Sequence, residues 1–122
     1  MLTVFIDSNI ILHRKPLQEL DTMKVFGEKK ILVVVCFAVL KEINKEKDTN
    51  RNSRVKDRAR NFLKLIESSE NNPIILSDSI TITTFFPNPN FDFHKYYLDP
   101  NISDDLILSS IIQYMHLNVK DK

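Results

Sequence analysis

Four carboxylates stand where acidic side chains can do chemistry together. Asp7 directly follows the short apolar run Leu2 to Ile6 and is followed by Ser8 and Asn9. Glu42 lies in a stretch with helical spacing that begins after a second apolar run, Ile31 to Val35. Asp104 and Asp105 come after Ser103, at the head of a third apolar stretch. Carboxylates drawn together from distant segments repel one another unless a hard cation joins them. Mg²⁺ or Mn²⁺ suits oxygen donors and a phosphate-bearing substrate. Each acid also has an ordinary structural account. Asp-Ser-Asn is turn and capping chemistry, Glu42 between Lys41 and Lys45 reads as a solvated helix face, and an acidic pair in a first helical turn complements the dipole. Their joint occurrence carries the functional reading.

The elements that would position these acids follow from periodicity. Leu2 to Ile6 reads as a buried strand ending in a loop at Asp7-Ser8-Asn9. Pro16 fits a helix start, with Leu17, Leu20, Met23 and Phe26 at near-helical spacing before Gly27. Ile31 to Val35 is uniformly apolar and β-branched, the pattern of a strand covered on both faces. The segment after Cys36 turns helical, with Val39, Leu40 and Ile43 apolar, and places Glu42 about two turns in. A polar loop at 48–53 precedes a helix from Arg54 to Ser68 with Ala59, Phe62, Leu63 and Ile66 as its buried stripe. Pro73 to Leu76 is a third strand, extended by the alternation of Ile80 and Ile82 with Thr81 and Thr83; 85–101 reads as a long irregular loop. Ser103 is then expected to cap a last helix with Leu106, Ile107, Ile111 and Met115 near its inward face, ending at about Leu117. Strands alternating with helices imply an α/β fold, a central parallel sheet with helices on both sides. Such sheets carry function at the carboxyl ends of their strands, where Asp7 falls.

Composition narrows the options. The chain of 122 residues has the size of one domain. Its single glycine, Gly27, excludes a Gly-rich phosphate loop. Its single cysteine, Cys36, excludes a disulfide framework and a thiolate zinc site. His13, His94 and His116 are too far apart for a His-x-x-x-His pair. The longest apolar run, Ile31 to Leu40, is about half a membrane span, and the N-terminus has no basic leader; a reducing cytoplasm is the expected location. Charge is uneven: the net charge is +1, yet 41–64 holds nine basic and four acidic residues, whereas 65–122 holds three and eight. A basic middle in a nearly neutral chain means a local positive surface.

In this order and on these elements the motifs resemble those of the PIN-domain nucleases. Val4-Phe5-Ile6-Asp7-Ser8-Asn9-Ile10 looks like that family's opening strand and D-[ST]-N motif. The stretch Val33-Val34-Val35-Cys36-Phe37-Ala38-Val39-Leu40-Lys41-Glu42-Ile43 is similar to its strand, turn and acidic helix, and Ser103-Asp104-Asp105-Leu106-Ile107-Leu108-Ser109-Ser110 to a D-D-x-I-L segment. The resemblance implies a three-layer αβα sandwich of PIN-like, Rossmann-like type over residues 1–122. It implies metal ligands at Asp7, Glu42 and Asp105, with Asp104 as neighbour or substitute, and Ser8 and Asn9 orienting the first ligand or the phosphate. The implied activity is metal-dependent hydrolysis of single-stranded RNA by one or two Mg²⁺ or Mn²⁺ ions, leaving 5′-phosphate products. Two departures stand out. Val35-Cys36 replaces a proline common near the second motif, and the chain reaches Lys122 before a further strand and a fourth acid, Asp121 coming too early. The expectation is a domain lacking its last strand.

The basic stretch borders Glu42, and Lys41, Lys45, Arg51, Arg54 and Arg58 are the expected RNA contacts. The segment 85–97 holds six of the eleven aromatics, Phe85, Phe86, Phe91, Phe93, Tyr96 and Tyr97. Such rings read unstacked bases or pack as a lid on the sheet. Other candidate partners are a protein or antitoxin and a second copy of the chain; no membrane is implied. Two competing functions are a catalytically weakened PIN-like module that binds RNA or a protein, and, more distantly, a phosphotransfer domain. The latter lacks the expected Asp-x-Asp acid, since Asn9 stands there.

Overall fold

The computed structural model describes residues 2–14, 17–69, 73–88 and 90–119. Three parallel strands form the centre: β1 (Leu2–Phe5), β2 (Ile31–Cys36) and β4 (Ile80–Phe85). A two-residue strand, β3 (Ile74–Ile75), pairs antiparallel with β4, giving the order β1-β2-β4-β3. The sheet is thus mostly parallel, with one antiparallel edge. The single strand expected from Pro73 onward is instead a hairpin. Ser77 and Ser79 turn the chain through Ser79 N–H to Ser77 Oγ and Ile80 N–H to Ser77 C=O, which returns Thr81 and Ile82 alongside Ile75 and Ile74.

Among the described residues five α-helices surround the sheet: α1 (Ser8–His13), α2 (Thr22–Phe26), α3 (Phe37–Thr49), α4 (Ser53–Ser68) and α5 (Ser103–Val119). Strand side chains alternate between faces. Ile31, Val33, Val35, Ile80 and Ile82 share one face and form a core with Ile11 and Leu12 of α1, Val39 and Ile43 of α3, and Val55, Ala59 and Phe62 of α4. Full burial of each such aliphatic side chain contributes about 1.5–3 kcal/mol. On the opposite face Tyr114 of α5 meets Phe5 and Phe85 edge-on, with ring centroids 5.3 and 5.5 Å away. Helices therefore cover both faces, the expected three layers. No helix among the described residues is long and apolar enough to cross a membrane.

Several local expectations change. Asp7-Ser8-Asn9 is no loop: Asp7 caps α1, its side chain accepting from Ile10 N–H at 3.3 Å. The helix expected from Pro16 is two pieces, a 3₁₀ turn at Leu17–Glu19 and then α2, because Asp21 caps a new start through Lys24 N–H. Pro16 itself lies outside the described residues. Gly27 ends α2 in a left-handed conformation, φ 69°, the conformation that glycine adopts without steric cost. Ser103 is the first residue of α5 rather than its cap. Leu106, Ile107 and Ile111 are half-buried as expected and Ile107 packs against the core, but Met115 is 57% exposed and the most deeply buried positions of α5 are Ser109 and Ser110. The stretch 85–101 is shorter as a loop than expected, since Phe85 ends β4 and His94–Tyr96 forms a 3₁₀ turn.

Candidate functional site

Two of the three motifs meet at the carboxyl edge of the sheet. β1 and β2 are parallel neighbours with Phe5 opposite Val34. β1 ends at Phe5, two residues before Asp7, and its neighbour β2 ends at Cys36, at the head of α3. The hydroxyl of Ser8, a buried residue, donates to Glu42 Oε2 at 2.7 Å. This bond spans 34 positions of sequence and ties the first motif to the second. It also assigns Ser8 a partner: the hydroxyl orients the second acid, whereas the Asp7 carboxylate beside it faces the α1 backbone. Asn9 lies exposed on α1.

The third motif comes to the same edge through its serines. Ser110 lies against Cys36, the last residue of β2. Burial pushes the Cys36 thiol above its ordinary range, with the Ser110 hydroxyl acting in the opposite sense. A buried thiol held protonated is a poor nucleophile, so Cys36 packs rather than reacts. Ser109 and Ser110 both return their hydroxyls to Leu106 C=O, at 2.7 and 3.1 Å, which satisfies them inside an apolar layer. Asp105, a turn nearer the start of α5, is half-buried, and its Oδ2 accepts from Asp99 N–H at 2.8 Å. Asp104 is exposed.

Three carboxylates with hard oxygen donors have the right chemistry for Mg²⁺ or Mn²⁺. Their arrangement is another matter. Among the described residues no three Asp, Glu, His or Cys side chains lie together as a metal-holding group. Glu42 is engaged by Ser8 and Asp105 by the backbone at Asp99. As they stand, these acids do not form a coordination site among the described residues. Asp121 lies outside the described residues.

The basic residues fall on α3, α4 and the turn between them. Lys41, Lys45, Arg51 and Arg54 are exposed. Arg58 is committed differently: its guanidinium donates to Leu12 C=O at 3.2 Å and holds α4 against the end of α1. The aromatic segment divides as well. Phe91 lies 5.2 Å from Phe93 edge-on and 5.3 Å from Tyr96 in a stack, so these three pack on one another. Phe85 packs on Tyr114 beneath α5, and Phe86 meets Phe37, a residue not singled out in the sequence.

Two cavities border this framework. One, about 420 Å³, lies between β1, α2 and α5 and is lined by Phe5, Asp7, Ile10, Phe26, Ile107 and Ile111 among others. Its lining is apolar apart from Asp7, so it supplies no further ligand. The other, about 360 Å³, is lined by α1 and α4 residues around Arg58.

A family model described as PIN domain matches residues 4–121. Among curated proteins and solved structures, none matches the chain.

Proposed function

The chain belongs to the PIN-domain family, a fold of generally nuclease type, and on that premise we propose that it hydrolyses phosphodiester bonds in single-stranded RNA with Mg²⁺ or Mn²⁺. The phosphotransfer alternative falls with the family assignment. The observation that carries the proposal is the bond from Ser8 to Glu42 at 2.7 Å, which joins two acidic motifs at the functional edge of the sheet. Asp7, Glu42 and Asp105 are the residues proposed to hold the ion, with Asp104 beside them. A bound divalent ion supplies an activated water and charge neutralisation at the phosphate. The chain's own part is to set that edge: Ser8 fixes the Glu42 carboxylate, Asp7 is placed by the α1 cap, and Lys41, Lys45, Arg51 and Arg54 offer exposed cations to the phosphate backbone. A cytoplasmic setting goes with an RNA substrate.

A second reading is favoured by the absence of a metal-holding group among the described residues: a PIN-like module that binds RNA or a protein partner without cutting. One experiment separates the two. Cleavage of labelled single-stranded RNA is followed with Mn²⁺ for the native chain and for Asp7→Asn, and melting temperature is read with and without the ion. The nuclease reading expects ion-dependent cleavage that Asp7→Asn abolishes, and a rise in Tm with Mn²⁺ from binding to the native state. Asn keeps the cap of α1, so a loss of activity reports the missing charge. Equal rates for the two proteins would remove Asp7 from catalysis. No cleavage and no ion-dependent Tm would leave the binding module.

A further inference from the structure

β2 and β4 run parallel with Cys36 opposite Phe85, so the next residue of each, Phe37 and Phe86, leaves the sheet side by side at the carboxyl edge. Their ring centroids lie 5.4 Å apart with planes tilted by 43°. Core packing does not account for the pair, since Phe37 is 43% and Phe86 56% exposed. Lys41 stands one turn along α3 with its ammonium 5.8 Å from the centre of the Phe37 ring. It immediately precedes Glu42 and opens the segment 41–64, which carries nine basic residues against four acidic. Two open rings and a cation at the rim of the acidic edge match one kind of ligand. Unpaired nucleobases stack on such rings, and the phosphate beside them meets the cation.

We propose that Phe37 and Phe86 form a stacking platform for an unpaired base of a single-stranded nucleic acid, with Lys41 on the neighbouring phosphate. The inference rests on the nuclease reading only for the class of substrate, and adds why that substrate is single-stranded: a base held in a duplex cannot reach the rings. Of the other aromatics in the segment 85–97, Phe91, Phe93 and Tyr96 are packed together and Phe85 lies against Tyr114, whereas Tyr97 is exposed at the turn after His94–Tyr96.

Fluorescence anisotropy in EDTA tests the platform without any cleavage. The probes are single-stranded RNA of about 12 nucleotides, its duplex, and the same strand with abasic sites. Phe86→Ala should weaken binding of the single strand about tenfold and leave the duplex and the abasic strand unchanged. Phe86→Trp should restore it. Phe37→Leu, which keeps apolar bulk without a ring, should behave as Phe86→Ala does. Lys41→Ala should lower the slope of log affinity against log salt by about one. Far-UV circular dichroism confirms that the variants fold. Equal loss on all three probes, no loss on any, or failure of tryptophan to restore binding would overturn the platform. Loss of cleavage with binding intact bears on the nuclease reading alone.

Discussion

Replacing Ser8 by alanine removes the side-chain hydrogen bond that ties the first motif to the second. A hydrogen bond to a charged acceptor contributes about 1.5–3 kcal/mol net. Glu42 is only half-buried, so water recovers part of that, and alanine is the better helix former by a few tenths. The net cost comes to about 1 kcal/mol, a fall in Tm of about 3–6 °C for a domain of this size. A double-mutant cycle with Glu42→Ala isolates the pair, read by urea denaturation followed with far-UV circular dichroism. Once Ser8 has lost its hydroxyl, removing Glu42 has less to destroy, and the coupling should be at least about 0.5 kcal/mol. Additive losses, within about 0.3 kcal/mol, would mean that the bond is not made in solution. The joining of the two motifs, on which the functional reading stands, would then fail.

Two further outcomes follow from local geometry. Asn52 caps α4 by accepting from Arg54 N–H at 2.9 Å and Val55 N–H at 3.4 Å, so Asn52→Ala should cost about 1 kcal/mol in urea denaturation while Asn52→Asp costs little; equal losses would disprove the cap. Cys36 has its native pKa raised above the ordinary 9.0 by burial, so the native state keeps its proton where the unfolded chain gives it up. Its contribution is therefore full below the unfolded value and is lost as pH rises through the native one; Cys36→Ala should lose less stability than the native chain between neutral and strongly alkaline pH, and parallel pH profiles would refute this.

Legibility in the sequence tracked how completely an element's own pattern determined it. Ile31 to Val35 is apolar on both faces, and β2 is that run with Cys36 added. The stripe Ala59, Phe62, Leu63 and Ile66 sits on the core side of α4, whose start is displaced by one residue because Asn52 caps it. α1 was hidden because six residues are too few for a period, and Asp-Ser-Asn serves a helix cap as readily as a turn. α5 misled for another reason. Its apolar residues are spread over more than one face, so periodicity finds half-buried Leu106, Ile107 and Ile111 but not the innermost positions, which small Ser109 and Ser110 hold, and it misplaces exposed Met115. The site divides in the same way. The three motifs were legible as local patterns, whereas the partner of Ser8, the turn of Asp105 toward Asp99 and the pairing of Phe37 with Phe86 depend on register and chain crossing.

How firmly Asp105 is held decides what the acidic edge can do. Serines bring α5 in: Ser110 reaches Cys36, two positions beyond Val34, the residue that pairs with Phe5 of β1. That sets α5 against the end of β2, beside the head of the helix that carries Glu42. Asp105 accepts a hydrogen bond from Asp99 N–H, an exposed contact. A solvent-exposed bond of this kind contributes about 1 kcal/mol net. A ligand bound with micromolar affinity brings about 8 kcal/mol, so turning one carboxylate from backbone to ligand takes a small part of it.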